Sequence, residues 1–405
     1  MSDLAARLTA ELDERLAPAD AALAAQYPGE RPGRQPVHTV YVPADRYDAG
    51  LVPAYGAAAL AVLDEHADAF AELVADDDIV ARVRAKLGRE PVEDLRIDFE
   101  DGYVGKSDED ETLDVERAAL ALAETRLAGT AAPFGGIRVK CFEAATRGRA
   151  IRTLTAYVAT LRDGGGTLDG WVVTLPKVTS VDQVEAMVHV AETLDLRFEV
   201  QVETPQSILG PDGTALVAKM VHAGGERLTG LHYGTYDYSA FVGIVAGHQS
   251  LAHPAADHAK LVMQAAAAGT GVRLSDGSTN RLPVGDHDTV VAGWAEHHRL
   301  VRRGLERGYY QGWDLHPAQL PTRYAATYAF YREGLTGALD RLEAYAHRSS
   351  HGGIADEPAT ARALGSYVLR GLDCGAVDAD EVRDLDLPGF LRPPSGGPAE
   401  QPVTR

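Results

Sequence analysis

Short apolar runs recur along the chain, and longer segments rich in alanine and leucine separate them. The runs that favour β-strands, because they are rich in β-branched and aromatic residues, are 37–42, 95–99, 136–141, 171–175, 198–202, 229–233, 272–275 and 312–315. The segments of helical character between them include 56–73, 113–128, 180–194, 255–268 and 288–307. Eight strands that alternate with helices predict an α/β fold, a (β/α)8 TIM barrel. A doubly wound parallel sheet is the alternative architecture, since a strand count from one sequence can err by one or two.

Flanking segments extend the predicted barrel at both ends. Residues 3–16 have the pattern of a charged amphipathic helix, and 27–36 is a linker rich in proline and glycine. Ser180 and Gln183 fit a capping box, and Pro317 lies where the helix after the eighth strand would begin. The predicted parts are an N-terminal helical extension and linker, a catalytic barrel, a C-terminal helical extension and a flexible tail, at 1–36, 37–325, 326–387 and 388–405.

The second predicted strand ends unusually, in the stretch LRIDFEDGY at 95–103. Its apolar residues alternate with polar ones as in a half-buried strand, but Asp98, Glu100 and Asp101 crowd its end. Alternation places Asp98 on the polar face, where it would pair with a basic neighbour, and leaves Glu100 and Asp101 for a cation. In a barrel, the active site lies at the C-terminal ends of the strands.

The other predicted strands also end in polar residues. These are Asp45 and Arg46, Arg138 and Lys140, Lys177, Glu203, Asp237, Asp276 and His316. A single acid after a strand is more often the N-cap of the next helix than a catalytic group. Polar residues at all eight strand ends favour one shared site.

Two of these acids have the chemistry of metal ligands. Glu203 and Asp237 follow adjacent predicted strands, so their carboxylates are predicted to meet. Carboxylate oxygens that leave positions for water or substrate suit Mg²⁺ or Mn²⁺, and without a metal the pair would repel. Arg138 offers a planar fork that can bind a substrate carboxylate through two hydrogen bonds. The sequence has none of the P-loop, GxGxxG, HExxH or GxSxG motifs, which argues against the corresponding chemistries.

Composition narrows the range of partners and compartments. The net charge of −20 disfavours nucleic acid, and an anionic substrate would need local positive charge or a metal ion. Two cysteines without a CxxC spacing imply neither a disulfide framework nor a thiolate zinc site. The N-terminal residues are charged where a signal peptide would be apolar, and no stretch approaches the roughly 18 apolar residues of a membrane span. We therefore expect a soluble, cytoplasmic protein with no membrane or nucleic acid partner.

An ordered series of motifs runs through 37–325. It comprises VYVPADR (40–46), IDFEDGY (97–103), GIRVK (136–140), LPKVTSVDQV (175–184), VETPQSI (202–208), YGTYDYSA (233–240), HAKLVMQAAAAGTGVRLSDGS (258–278) and DLHPAQL (314–320). Each motif alone is weak, but the ordered set resembles the citrate lyase β-subunit / HpcH–HpaI aldolase family. Malyl-CoA lyases and, more distantly, malate synthases belong to the same broad group of phosphoenolpyruvate/pyruvate-type barrels. The resemblance implies a TIM barrel that binds a divalent metal and cleaves or forms a carbon–carbon bond next to a carboxylate.

The resemblance also implies roles for single residues. Glu203 and Asp237 match the metal ligands, and Arg138 matches the arginine that holds the substrate carboxylate. Glu100 and Asp101 match an acidic pair beside the metal and its waters. The proton of the substrate hydroxyl would pass to a carboxylate such as Asp101 or to metal-bound water, and the sequence leaves both open.

Further positions are candidates for substrate binding. Backbone amides near Gly234 and Thr235 match a substrate-binding turn of the family, and Lys177 and Arg46 follow predicted strands close to the same pocket. Lys140 stands where the family often has asparagine, a change that would alter substrate choice.

The sequence therefore favours a carbon–carbon lyase that depends on Mg²⁺ or Mn²⁺. Its substrate would be a small anionic 2-oxo or 3-hydroxy carboxylic acid, free or as the CoA thioester, cleaved through a metal-stabilised enolate. A malate-synthase-like condensing enzyme and a non-catalytic metabolite-binding member of the fold are the alternatives. The resemblance favours a homo-oligomer.

Overall fold

The predicted barrel is confirmed by a computed structural model, which describes residues 2–347, 356–382 and 385–391. Its strands are His38–Pro43 (β1), Asp94–Asp98 (β2), Phe134–Arg138 (β3), Trp171–Leu175 (β4), Arg197–Val202 (β5), Leu228–Tyr233 (β6), Arg273–Ser275 (β7) and Gly312–Asp314 (β8). They form one parallel sheet in the order β7-β6-β5-β4-β3-β2-β1-β8. A parallel bridge between Ser275 and Gln311 joins the two edges. The sheet therefore closes on itself, as a (β/α)8 barrel requires.

Helices surround this barrel and extend it at both ends. Their bounds are Ser2–Gln26 (α1), Leu51–Glu65 (α2), Ala67–Val74 (α3), Asp77–Arg89 (α4), Asp108–Ala128 (α5), Arg147–Asp163 (α6), Val181–Leu194 (α7), Pro205–Ile208 (α8), Leu216–Gly224 (α9), Thr235–Phe241 (α10), Pro254–Ala267 (α11), His287–Glu306 (α12), Leu320–Ala346 (α13), Pro358–Cys374 (α14) and Leu387–Phe390 (α15). No helix in the described ranges is long and apolar enough to cross a membrane.

Most predicted elements lie within three residues of their observed positions, but α1 continues to Gln26 where the prediction ended at 16, and α5 begins at Asp108 where the prediction began at 113. The helix predicted at 56–73 is two helices, α2 and α3, that meet at His66. Helix α6 follows β3 in a segment that was not predicted to be helical. Of the predicted tail, residues 392–405 lie outside the described residues. The boundaries predicted for the four parts of the chain stay predictions.

The predicted capping box at Ser180 is wrong in its hydrogen bonding. Ser180 is the N-cap of α7, as expected, but its side chain makes no capping hydrogen bond. Gln183 instead accepts a hydrogen bond from the Thr179 amide, one residue earlier, at 2.8 Å. The Gln183 side chain therefore fixes the residue before the N-cap and does not close a capping box.

The interior of the barrel is polar to an unusual degree. Arg96 of β2 donates to Glu199 of β5 at 2.7 Å and to Thr174 of β4 at 3.1 Å. Because β2 and β5 are not neighbours in the sheet, this contact crosses the inside of the barrel. The alternate residues Leu95 and Ile97 are buried in the apolar core on the other face of β2. The period-two pattern of β2 therefore assigns its polar residues to the barrel interior.

Candidate active site at the carboxyl ends of the strands

Asp98 organises the acidic turn after β2. Its two carboxylate oxygens accept hydrogen bonds from the backbone amides of Glu100 and Gly102, at 2.9 and 2.8 Å. A Cβ atom on Gly102 would lie only 2.6 Å from Asp98 Oδ2, so the turn needs glycine at this position. Asp98 is 2% exposed, and its hydrogen bonds hold Glu100 and Asp101 at the mouth of the barrel.

Arg138, at the end of β3, pairs with Asp98 through both arms of its fork. Its Nε atom lies 2.7 Å from Asp98 Oδ1, and its Nη2 atom lies 2.6 Å from Asp98 Oδ2. The remaining Nη1 atom lies 3.4 Å from Glu100 Oε2 and 3.8 Å from Asp101 Oδ2. Burial acts against the charge, but Asp98 raises the pKa of Arg138 well above its ordinary value. The edge of Arg138 that faces the mouth is therefore Nη1, while the fork itself binds Asp98.

Replacing Arg138 with glutamine should lower the free energy of unfolding by about 3–5 kcal/mol, because it leaves Asp98 buried without its partner. Urea unfolding at pH 7 measures this loss. The matched control is Arg84→Gln, since Arg84 pairs with Asp64 at the surface and such a pair contributes about 0–1 kcal/mol. Equal losses in both variants would contradict the structural role of the Arg138–Asp98 pair.

Lys177, after β4, lies at the centre of the acidic residues. Its Nζ atom is 2.5 Å from Glu100 Oε1, 2.8 Å from Asp101 Oδ2 and 3.5 Å from Asp237 Oδ2. Burial opposes the ammonium charge, but Glu203, Glu100 and Asp101 raise the pKa of Lys177 above its ordinary value. The side chain is therefore a fixed cation that binds the carboxylates together.

The backbone at Lys177 is in the left-handed region, with φ of +52°. This conformation costs roughly 1–2 kcal/mol for a residue other than glycine. The Lys177 amide donates to Glu203 Oε1 at 2.7 Å, a contact that offsets part of this strain. Strained backbone of this kind clusters at functional sites, so its presence here supports a functional role for this loop.

Glu203, after β5, is the most buried acid of the site, with 1% exposure. Its Oε2 atom accepts a hydrogen bond from Gln201 at 2.8 Å. Burial raises the pKa of Glu203 to about 8, with Lys177 acting in the opposite direction and Asp237 adding to the rise. A Cβ atom on Gly234 would lie 2.6 Å from Glu203 Oε2, so the glycine makes room for this carboxylate.

The next strand end supplies Asp237 on the short helix α10. Gly234 precedes this helix, and its amide donates to the Val202 carbonyl at 3.0 Å, which extends the pairing of β5 with β6. Thr235 is buried, and its hydroxyl donates to the Ser278 carbonyl at 3.1 Å. The side chain of Asp237 is 36% exposed and faces Lys177. Helix α10 thus places a half-exposed carboxylate beside a buried one.

The two acids of the β2 turn have opposite tendencies to hold a proton. Burial raises the pKa of Glu100 to about 7, although Arg138 and Lys177 oppose the rise. For Asp101, burial is outweighed by Arg138, by Glu100 and by Lys177, so its pKa is lowered. Glu100 therefore exchanges a proton near neutral pH, while Asp101 stays ionised.

The oxygen donors of the site have the chemistry that a hard divalent cation prefers. The site brings together more carboxylates than cations, namely Asp98, Glu100, Asp101, Glu203 and Asp237 around Arg138 and Lys177. Oxygen donors with an excess of negative charge are what Mg²⁺ and Mn²⁺ prefer. Within the described residues, no three acidic, histidine or cysteine side chains are grouped to hold a metal ion. The Lys177 ammonium lies among these carboxylates instead and balances part of their charge.

Strands β1, β7 and β8 do not add to this cluster. Arg46 is exposed and donates no hydrogen bond to any described residue, and Asp45 pairs with Lys106 at 2.9 Å. Asp276, after β7, pairs with Lys260 at 3.0 Å. His316, after β8, caps the turn that follows it by accepting from the Ala318 amide, as a simple turn residue would. The strand ends that converge are those of β2 to β6.

Gln201 was missed as a member of the site, whereas Lys140 was considered for its effect on substrate choice and not as a support of the turn after β2. Gln201 holds Glu203 and lies 3.4 Å from Arg138 Nη1. The period-two pattern of β5 could have indicated Gln201, because it places Glu199, Gln201 and Glu203 on one face of the strand. Lys140 donates to the Phe99 carbonyl at 2.6 Å and to Glu111 at 2.9 Å, so it braces the turn after β2.

Comparisons with known proteins place the chain in a family and relate its fold to solved structures. A model of the family described as a domain of unknown function, DUF6986, matches residues 16–389. No curated protein matches the chain in sequence. The predicted membership of the citrate lyase β-subunit / HpcH–HpaI family stays a prediction, since the matching model is that of DUF6986.

Several solved structures are similar in fold. CitE from Mycobacterium tuberculosis, in complex with magnesium, acetoacetate and coenzyme A, is 17% identical with a TM-score of 0.49, over 84% of this chain and 98% of that one. Malate synthase from Haloferax volcanii, in a magnesium/glyoxylate complex, is 13% identical with a TM-score of 0.48, over 73% and 76% of the chains. RipC from Yersinia pestis is 16% identical with a TM-score of 0.45, over 75% and 96%. Identities and TM-scores this low do not decide what this chain binds.

Proposed function

The chain belongs to the DUF6986 family, and we propose that it is a carbon–carbon lyase dependent on Mg²⁺ or Mn²⁺. Its substrate would be a small 2-oxo or 3-hydroxy carboxylic acid, free or as a CoA thioester. The observation that carries the proposal is the cluster of carboxylates at the barrel mouth, where Glu100, Asp101, Glu203 and Asp237 surround Lys177. The ordered motifs of the sequence give independent support.

Glu203 and Asp237 are the residues that would hold the cation, with Glu100 and Asp101 beside them. A bound divalent ion supplies Lewis-acid stabilisation of the negative charge that develops on a substrate oxygen when the carbon–carbon bond breaks. Gln201 and the Lys177 amide fix the orientation of Glu203 through hydrogen bonds of 2.8 and 2.7 Å. This support keeps the buried carboxylate in one position, as a metal ligand needs.

Two cations of the chain would bind the anionic end of the substrate. Lys177 is held as an ammonium by its acidic neighbours, and Arg138 presents its Nη1 edge to the same space. A lysine whose pKa is raised is a poor nucleophile, so the geometry disfavours an aldolase that forms a Schiff base on Lys177. The charge of Lys177 would orient the substrate instead.

Glu100 is the better candidate for moving the proton of a substrate hydroxyl. An efficient general base has a pKa near the working pH, and burial raises the pKa of Glu100 to about 7. Asp101, the carboxylate that the sequence motifs suggested for this role, has a lowered pKa and would accept a proton less readily. We therefore assign proton transfer to Glu100 and charge balance to Asp101.

The test is a substrate screen with 2-oxo acids, 3-hydroxyacyl-CoA esters, and acetyl-CoA paired with glyoxylate, in Mg²⁺, in Mn²⁺ and in EDTA. Release of a 2-oxo acid or aldehyde that requires the metal, and that Glu203→Gln abolishes, would support the lyase. Consumption of acetyl-CoA with glyoxylate would assign the condensing direction to the same site. Turnover that persists in EDTA would contradict the role of the metal, and binding without any turnover would indicate a metabolite-binding protein.

A further inference from the structure

A large cavity opens at the end of the barrel opposite the candidate active site, where the strands begin. It has a volume of about 680 Å³, and the first residues of three strands, Phe134, Trp171 and Arg197, line it. This end of a TIM barrel ordinarily serves stability rather than binding. The cavity has the size of a site for a small ligand, and it does not include any carboxylate of the candidate active site.

Five arginines surround the opening: Arg31, Arg162, Arg197, Arg227 and Arg273. Three of them donate to backbone carbonyls and to no carboxylate among the described residues. Arg31 donates to the Leu228 carbonyl at 2.9 Å, Arg162 to a carbonyl at 2.7 Å and Arg273 to three carbonyls at 2.7, 3.4 and 2.6 Å. A carbonyl fixes the direction of a guanidinium group without neutralising its charge, so these side chains are preorganised cations.

Acidic residues balance only part of this charge. Asp195 pairs with Arg227 at 2.9 Å, Asp169 also lines the cavity, and Glu226 and Glu30 act on Arg31 and Arg273 without forming an ion pair with them among the described residues. Arg197 is exposed, and its side chain donates no hydrogen bond to any described residue. The arginines also repel one another: burial and then Arg197 lower the pKa of Arg31. A positive excess in a chain of net charge −20 indicates a local site for an anion.

The floor of the cavity contains a carboxylate, that of Glu199, which accepts hydrogen bonds. Glu199 accepts hydrogen bonds there from Arg96 at 2.7 Å and from His232 at 3.0 Å. Trp313 donates to His232 Nδ1 at 2.8 Å, which places the imidazole proton on Nε2, towards Glu199. Burial opposes ionisation, but Arg96 and His232 lower the pKa of Glu199, so the floor carries an ionised carboxylate. A ligand would therefore place its anionic group at the rim and hydrogen-bond donors towards the floor.

We propose that this cavity binds a small hydroxylated organic phosphate. Its phosphate group would lie on Arg31, Arg197 and Arg273, because guanidinium groups from several directions match the terminal oxygens of a tetrahedral dianion. Its hydroxyl groups would point towards Glu199 and its neighbours. The site is independent of the proposed lyase activity, since it lies at the other end of the barrel.

Calorimetric titration of the full chain with glucose 6-phosphate tests the proposal, with EDTA present and ionic strength held constant. We expect saturable binding that is at least tenfold tighter than binding of inorganic phosphate, and no binding of glucose. Arg197→Gln should weaken the affinity for glucose 6-phosphate about tenfold. The thermal midpoint should not change, because the Arg197 side chain makes no hydrogen bond or ion pair with another described residue. Arg7→Gln, at an exposed arginine of α1, is the matched control and should leave the affinity unchanged.

Three results would overturn the proposal. If glucose 6-phosphate bound no more tightly than inorganic phosphate, its hydroxyl groups would make no favourable contact with the floor of the cavity. Equal affinities of Arg197→Gln and Arg7→Gln for glucose 6-phosphate would show that Arg197 at the cavity opening does not bind the phosphate group. Loss of binding in Glu203→Gln, at the opposite mouth, would place the phosphate in the carboxylate site instead.

Discussion

Replacing Glu203 with glutamine is expected to stabilise the metal-free protein at pH 9 while it abolishes both metal binding and activity. Burial raises the pKa of Glu203 to about 8 in the folded chain, from an ordinary value of 4.5. The folded state therefore holds this proton at pH values where the unfolded chain has released it. The stability contributed by the proton is complete below about pH 4.5 and is lost as the pH rises to 8.

Glutamine is neutral at every pH, so the variant escapes this loss. At pH 5 the two proteins should have similar free energies of unfolding, and at pH 9 the variant should be more stable by roughly 1–3 kcal/mol. With Mg²⁺ added, the order at pH 9 should reverse, because only the wild-type chain gains stability from a bound ion. Urea unfolding in EDTA and in Mg²⁺, at both pH values, measures the free energy of unfolding of each protein under the four conditions.

A buried carboxylate outside the cluster gives the matched control. Asp276 ends β7 and pairs with Lys260 at 3.0 Å, so Asp276→Asn removes a buried acid that already has a cation. This variant should lose stability at both pH values and still respond to Mg²⁺. If Glu203→Gln keeps a calorimetric Mg²⁺ affinity equal to that of the wild type, Glu203 is not a ligand, and the proposed site is wrong.

The barrel could be predicted from the sequence because each buried strand leaves a local signal. In β2, Leu95 and Ile97 alternate with Arg96 and Asp98, and the structure sends the two sets to opposite faces. In a parallel barrel all strand ends meet on one rim, so local patterns also indicate which residues lie near one another. This rule predicts that all eight ends converge, whereas only those of β2 to β6 do among the described residues, because Asp45, Asp276 and His316 bind local partners.

The pairing of charges within the site could be predicted only in part, because alternation indicated a basic partner for Asp98 but not which residue it would be. The direction of the Arg138 fork depends on Asp98 of the neighbouring strand, and no local propensity shows which acid an arginine will choose. Lys177 reaches the acids from a backbone with φ of +52°, which its sequence context does not indicate. The arginine cavity draws Arg31, Arg197 and Arg273 from distant parts of the chain, so no motif could reveal it.

Lys177→Met should tighten the binding of Mg²⁺ by about tenfold or more, while it lowers the stability of the metal-free protein. The ammonium lies 2.5 to 3.5 Å from the oxygens of Glu100, Asp101 and Asp237, and a divalent ion must compete with it for those oxygens. Removal of the lysine leaves the acids uncompensated, and their mutual repulsion then favours any added cation.

The experiment is a calorimetric titration of Mg²⁺ at pH 8, with unfolding measured in EDTA. Methionine matches the length of the lysine side chain, and the backbone strain at φ of +52° is the same for both residues. Lys219→Met is the control, because Lys219 pairs with Asp212 at 2.7 Å on the surface. An unchanged affinity would show that the ion binds away from Lys177. Tighter metal binding combined with lost turnover would separate two roles of this lysine, that of an internal counter-ion and that of the group that orients the substrate.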